Sequence, residues 1–123
     1  MGDFSEHSVW SLEVFRKAYD AALDAHRVAL TFPKYEQHDL ASQLRRSSKS
    51  VCANLTEGRG RQQGSSAEFR RFVLMALGSA DESALWCKFA IDLGYIEKGE
   101  YERLAHRFSE VARMLNALAS KLS

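Results

Sequence analysis

The chain has 123 residues, 46% of them hydrophobic and 27% charged, and a formal net charge of +1. That is an ordinary globular composition and length for one domain, 1–123, which would bury roughly two-thirds of its unfolded surface. No apolar run approaches the roughly 20 residues of a membrane-spanning helix, and a single proline with few glycines argues against a many-turn β fold.

The opening Met-Gly-Asp-Phe-Ser-Glu-His has neither the basic nor the apolar region of a secretory signal. A first helix is expected over about residues 9–30, where Leu12, Phe15, Tyr19, Ala22, His26 and Ala29 alternate steps of three and four. Thr31-Phe32-Pro33 ends it, because the residue before a proline is pushed out of the helical region.

The second helix is expected over about residues 39–57, with Asp39 as its N-cap and Gly58 as a left-handed residue just past its end. Leu40, Leu44, Val51 and Leu55 fall on one face, and Ser48 fills the gap in that stripe. Arg59 to Ser65 read as the connection.

The third helix is expected over about 66–92, capped by Ser65 or Ser66 and stopped by Gly94. It is apolar nearly all round. Phe69, Val73, Ala76, Ala80, Ala84, Cys87 and Ile91 form one stripe, Phe72, Met75, Trp86 and Phe89 a second, and Leu74, Leu77 and Leu85 a third. A four-helix monomer does not need so much apolar surface on one helix. Phe72, Met75, Trp86 and Phe89 are therefore predicted to lie at a subunit interface.

The fourth helix, about 97–122, repeats Tyr101, Leu104, Phe108, Val111, Leu115, Leu118 and Leu122 without a break. The expected fold is an all-α, antiparallel, up-down-up-down four-helix bundle. Cys52 and Cys87 sit in helical patterns with no metal-ligand spacing, as reduced thiols of a cytoplasmic protein would.

The candidate chemistry is sparse. His7, His26, His38 and His106 form no ligand-like pair and no Glu-x-x-His is present; His26 alone occupies a core-type position. Ser47, Ser48 and Ser50 lie mid-helix without a nucleophile elbow, in the manner of residues that let helices pack closely. Gly58-Arg59-Gly60-Arg61 lacks the Lys-Ser/Thr of a phosphate loop. The expectation is no enzyme, no cofactor and no metal.

A basic zone is what remains. From Ala41 to Met75 there are seven cations (Arg45, Arg46, Lys49, Arg59, Arg61, Arg70 and Arg71) and two acids, a local +5 against −4 elsewhere. Arginine forks suit phosphates, so these residues are candidates for binding RNA or DNA through the backbone. Aromatic residues are not interleaved with them, which argues against a single-strand stacking platform. The competing reading is structural: pairing of Arg45 or Arg46 with Glu57, Glu68 or helix-end carbonyls, or a protein interface.

Gln43-Leu-Arg-Arg, Asn54-Leu-Thr-Glu-Gly58, Arg61, Glu68-Phe-Arg-Arg-Phe72, Ala76-Leu-Gly-Ser79 and Leu93-Gly-Tyr95 together resemble the "four helix bundle protein" family over about Leu12 to Leu118. That family includes proteins encoded in intervening sequences of bacterial 23S ribosomal RNA genes. It is related to the accessory variability proteins of diversity-generating retroelements. The resemblance implies a homopentameric ring with a basic surface; the retroelement relatives bind nucleic acid and the reverse transcriptase. Two departures stand out. Cys52 occupies a position where the family usually has proline, which implies a straighter second helix. Ala80-Asp81-Glu82-Ser83 replaces the usual Glu-Leu pair after the Gly-Ser of helix three. The sequence thus predicts a non-enzymatic homo-oligomer that binds nucleic acid or a nucleoprotein partner, or alternatively an assembly scaffold whose arginines serve subunit contacts.

Overall fold

The computed structural model describes residues 8–62 and 64–122. The segment Met1–His7, on which the signal reading falls, and Gln63 of the expected connection lie outside them. Among the described residues there are four helices and no strand: α1 Glu13–Ala29, α2 Leu40–Arg61, α3 Ser66–Asp92 and α4 Lys98–Lys121. Single 3-10 turns at Val9–Ser11 and Lys34–Glu36 precede α1 and α2.

The helices form a closed square in which α2 meets α3 most extensively, followed by α3 with α4, α1 with α2, and α1 with α4. The core splits along the bundle into two apolar clusters. One gathers Phe32, Leu40, Leu44, Cys87, Leu104 and Phe108; the other gathers Phe15, Val51, Leu55, Phe69, Val73, Val111 and Leu115. Between them in α2 and α3 lie the buried serines Ser47, Ser48, Ser79 and Ser83. Ser47 and Ser83 share a 2.8 Å hydrogen bond, and Ser79 donates to Ser50 at 3.1 Å. Each buried hydroxyl is therefore satisfied, and the small side chains let the two helix backbones approach.

The ends of α3 follow the sequence signals. Ser65 Oγ accepts from the Glu68 N–H at the start. At the far end Gly94 has φ +80°, and Tyr95 N–H reaches Ala90 O while Gly94 N–H reaches Ile91 O, a Schellman closure that needs a residue free to turn left-handed. At α4, Glu97 and Glu100 form a reciprocal capping box.

Three expectations are corrected. Asp39 does not cap α2; its backbone is not in a capping conformation, and Glu36 Oε1 accepts the Leu40 N–H instead. Gly58 does not stop α2, which continues in helical conformation to Arg61. Gly58 is needed for a different reason: a Cβ there would lie 2.6 Å from Phe72 Cβ and 3.0 Å from Phe69 Cδ1, so it marks a close approach of α2 to α3. The seam of α1 is also rotated. Val14, Phe15, Ala18, Ala21, Ala22, Ala25, Val28 and Ala29 are buried, while Leu12, Tyr19 and His26 are only half-buried along its edge. The second helix's stripe of Leu40, Leu44, Ser48, Val51 and Leu55 is buried as expected.

Candidate nucleic-acid interface

Because α2 runs through Gly58, Arg59 and Arg61 are helical residues and not part of a flexible turn. The seven cations accordingly divide into two groups. Arg59, Arg61, Arg70 and Arg71 flank the α2–α3 junction, whereas Arg45, Arg46 and Lys49 lie roughly 20 Å earlier along α2 at 1.5 Å per residue.

Most of the junction group is held by its own chain. Arg61 donates to Glu57 Oε1 from Nε at 3.0 Å and Nη2 at 2.8 Å, and its Nη1 lies 3.8 Å from Glu68. Arg71 makes a forked pair with Glu68, both bonds at 3.1 Å, and holds that carboxyl below its ordinary titration range. The two guanidinium groups also cover the Phe72 ring at 5.4 and 4.5 Å. Arg59 donates to Gln62 Oε1 and Ser11 Oγ and lies over Phe69 at 5.9 Å. Arg70 Nε donates to Ala119 O in the last turn of α4 at 3.1 Å, a carbonyl that also accepts the Leu122 N–H.

In the other group Arg45 is half-buried and clamped by Gln37, with bonds of 2.9 Å to both the side-chain and the main-chain oxygen. Gln37 in turn donates to Ala29 O and Phe32 O, so one amide fastens the α1–α2 corner to the arginine. Nothing in the sequence pointed to Gln37, since an eight-residue separation across a corner follows no helical period. Arg46 and Lys49 are exposed and make no hydrogen bond or ion pair among the described residues. Arg46 borders a polar cleft with Gln43, Ser47, Ser50 and Glu82. Between Leu40 and Thr56, α2 carries three cations and no carboxylate.

The four predicted interface residues also divide. Phe72 is buried within its own chain, under the arginines just described. Trp86 is half-buried and packs on Phe89 with ring centroids 5.9 Å apart. Met75 and Phe89 are 45% and 47% exposed. Leu74 and Leu85, of the third stripe, are exposed with them, as is Leu93 just past the helix end. The outward face of α3 thus carries several uncovered apolar side chains, interleaved with the exposed Asp81, Glu82 and Lys88.

Among the described residues no group of His, Cys, Asp or Glu is arranged to hold a metal ion, and no helix is long and apolar enough to cross a membrane. Burial pushes the Cys52 and Cys87 thiols up to about 12, so both stay protonated and weakly nucleophilic.

These features define the chain as an all-α four-helix bundle whose second helix bears two exposed cations without an ion pair among the described residues and whose third bears uncovered apolar side chains. Residues 11–117 match the 23S rRNA-intervening sequence protein family, and the chain belongs to that family. Its fold is similar to that of a protein with unknown function from the S23 ribosomal protein family of Bacteroides thetaiotaomicron VPI-5482, with a TM-score of 0.76 and 24% identity over 86% of this chain and 97% of that one. No functionally curated protein matches the chain.

Proposed function

We propose that the protein is a non-enzymatic, cytoplasmic homo-oligomer of antiparallel up-down-up-down bundles that binds RNA or DNA, or a nucleoprotein partner, through the cations of α2. The observation that carries this reading is the acid-free stretch Leu40–Thr56, where Arg46 and Lys49 are exposed without a partner of their own. The antiparallel order is supported by contacts that pair rising numbers with falling ones: Ser47 with Ser83, Ser50 with Ser79 and Gly58 with Phe72 across α2 and α3, and Lys17 with Glu110 and Asp24 with Arg103 across α1 and α4. Membership of a family described by an intervening sequence of 23S rRNA accords with an RNA partner.

No base-reading motif accompanies the cations, so binding is electrostatic and falls steeply with salt. Arg46→Glu with Lys49→Glu abolishes it at low salt and leaves helicity and mass unchanged. Single neutralisations, Arg46→Gln or Lys49→Gln, lower the log–log salt slope on duplex by about one unit each. Arg59→Glu with Arg61→Glu is the poorer test, because it also removes the contacts to Glu57, Gln62, Phe69 and Phe72. A parent protein that binds neither RNA nor DNA at low salt refutes the nucleic-acid reading.

A second reading is an assembly scaffold whose arginines meet the next subunit. The outward face of α3, with Leu74, Met75, Leu85 and Phe89 exposed, supports self-association by itself, and the homopentamer implied by the family resemblance is the assembly proposed. If the Arg46/Lys49 reversal converts the oligomer to monomers, the scaffold reading replaces the first.

A further inference from the structure

The cleft between α1 and α2 meets the cation surface described so far at Lys49 alone. It is lined by Tyr19, Ala22, Leu23 and His26 from α1 and by Lys49 and Cys52 from α2. Tyr19, Leu23 and His26 follow one another at steps of four and three and so form one edge of α1, and the heptad reading takes Tyr19 and His26 of that edge for core. The alanines beside them, Ala18, Ala21, Ala22 and Ala25, are the residues that pack. The larger side chains therefore stand at the rim and wall a space of about 360 Å³, within the range of roughly 300–1,000 Å³ typical of small-ligand sites.

The lining is mostly apolar and contains no carboxylate. Lys49 makes no hydrogen bond or ion pair among the described residues, and Lys49, Arg45 and Arg27 all act electrostatically on His26. His26 Nδ1 is buried without a hydrogen-bond partner among the described residues. A buried ring nitrogen left unpaired is costly, and a ligand with a polar edge relieves it once the imidazole turns that atom toward the cleft. The cleft thus combines an aromatic ring, aliphatic walls, one unsatisfied polar atom and a surplus of positive charge. Those are the complements of a flat heterocycle carried on a phosphate chain. In sequence the aromatics and the cations are well separated, but in the fold Tyr19 and Lys49 line one site.

We propose that this cleft takes one unstacked base of a single strand, with Tyr19 and Leu23 against its faces, the His26 ring beside its polar edge and Lys49 on a flanking phosphate. The proposal rests on the nucleic-acid reading above and adds to it a preference for single strands. It is tested by fluorescence anisotropy with a short oligouridylate and with a duplex of similar length, at matched low salt. The parent protein binds the oligouridylate more tightly per phosphate. Tyr19→Leu keeps apolar bulk against Trp10 and Phe15, which Tyr19 contacts at ring-centroid distances of 5.0 and 6.4 Å, and removes the stacking ring. Leu23→Ser changes a residue already 38% exposed, so it keeps the test available should the tyrosine variant fold poorly. Either variant weakens oligouridylate binding about tenfold, the size of one lost base stack, and leaves duplex binding within about twofold. Equal loss on both ligands, or no loss on either, overturns the cleft proposal and leaves electrostatic binding standing. Absence of any binding by the parent removes the nucleic-acid reading itself, and the cleft proposal with it.

Discussion

Replacing Gly58 by alanine tests the central packing claim, that α2 and α3 approach so closely that one methyl group cannot fit. The added Cβ would meet Phe72 Cβ at 2.6 Å and the Phe69 ring at 3.0 Å, whereas ordinary contact begins near 3.4 Å. Phe72 Cβ is fixed to the α3 backbone and cannot swing aside, so relief requires the helices to part by about 0.8 Å, the difference between those two distances. Overpacking of this kind costs about 1–3 kcal/mol, and contact with a backbone-anchored atom places it near the upper end. Alanine is a better helix former than glycine by about 1 kcal/mol, which offsets part of that loss. The net expectation is a destabilisation of about 2 kcal/mol, or roughly 6–10 °C in thermal midpoint for a chain of this size. Gly60→Ala is the internal control. It lies in the same helix, two residues on, with nothing within 4 Å of its would-be Cβ, so only the propensity gain applies. Its midpoint should rise by a few degrees. Melting followed by circular dichroism at one protein concentration reads both. If Gly58→Ala is as stable as Gly60→Ala, the close approach of α2 to α3 is wrong, and with it the reason a glycine stands within the second helix.

Leu104 and Leu115 have no exposed surface, so Leu→Ala at either position should cost about 2–5 kcal/mol; a loss under roughly 0.5 kcal/mol, typical of surface sites, would refute the α4 seam. Asp24 accepts two 2.9 Å hydrogen bonds from Arg103 and lies 3.1 Å from Arg107, and the Arg103 bonds above all hold its carboxyl below the ordinary 3.8. A depressed carboxylate stabilises above its unfolded pKa and loses that contribution as pH falls through the folded value. Asp24→Asn should therefore cost about 1–2 kcal/mol near pH 7 and progressively less below pH 3.8; a pH-independent difference would refute the ionic origin. Light scattering at micromolar concentration should give a mass well above 13.9 kDa, and Met75→Ser with Phe89→Ser should lower it without loss of helicity; a monomeric parent would leave the apolar face of α3 without a purpose.

Helices α3 and α4 were legible because their patterns are long and built from large side chains. Leu104, Phe108, Val111 and Leu115 repeat without a break and are buried. The α1 seam was misread for the converse reason. Periodicity weighs bulk, and in α1 much of the bulk, at Leu12, Tyr19 and His26, lies at the edge while alanines make the close contacts. Gly58 misled because glycine serves two ends, a left-handed stop and a close approach, and only the position of Phe72 in space distinguishes them. The cations were legible as a composition but not as a surface, because a sequence does not show which arginine meets Gln37, Glu68 or Ala119 O.

That last difference decides what the basic zone can do. Arg61, Arg71, Glu57 and Glu68 form a quartet of zero net charge, anchored on Phe72, and its exposed ion pairs add little to stability. Its effect is to order the α2–α3 junction and to remove two of the seven cations from the surplus. Arg70, bonded to the last turn of α4, keeps its charge but serves a helix end, where a cation is favoured. Arg45 keeps its charge too, while Gln37 fixes its fork. Arg46 and Lys49 alone among the seven are exposed with neither hydrogen bond nor ion pair among the described residues. They lie on a stretch of helix without a carboxylate, in the middle third of the bundle and away from the quartet. A phosphate chain approaching α2 therefore meets a small positive charge, with Glu82 of α3 the carboxylate that borders it at Arg46. In an oligomer that charge recurs on every subunit, so weak individual contacts can combine when one strand spans several of them.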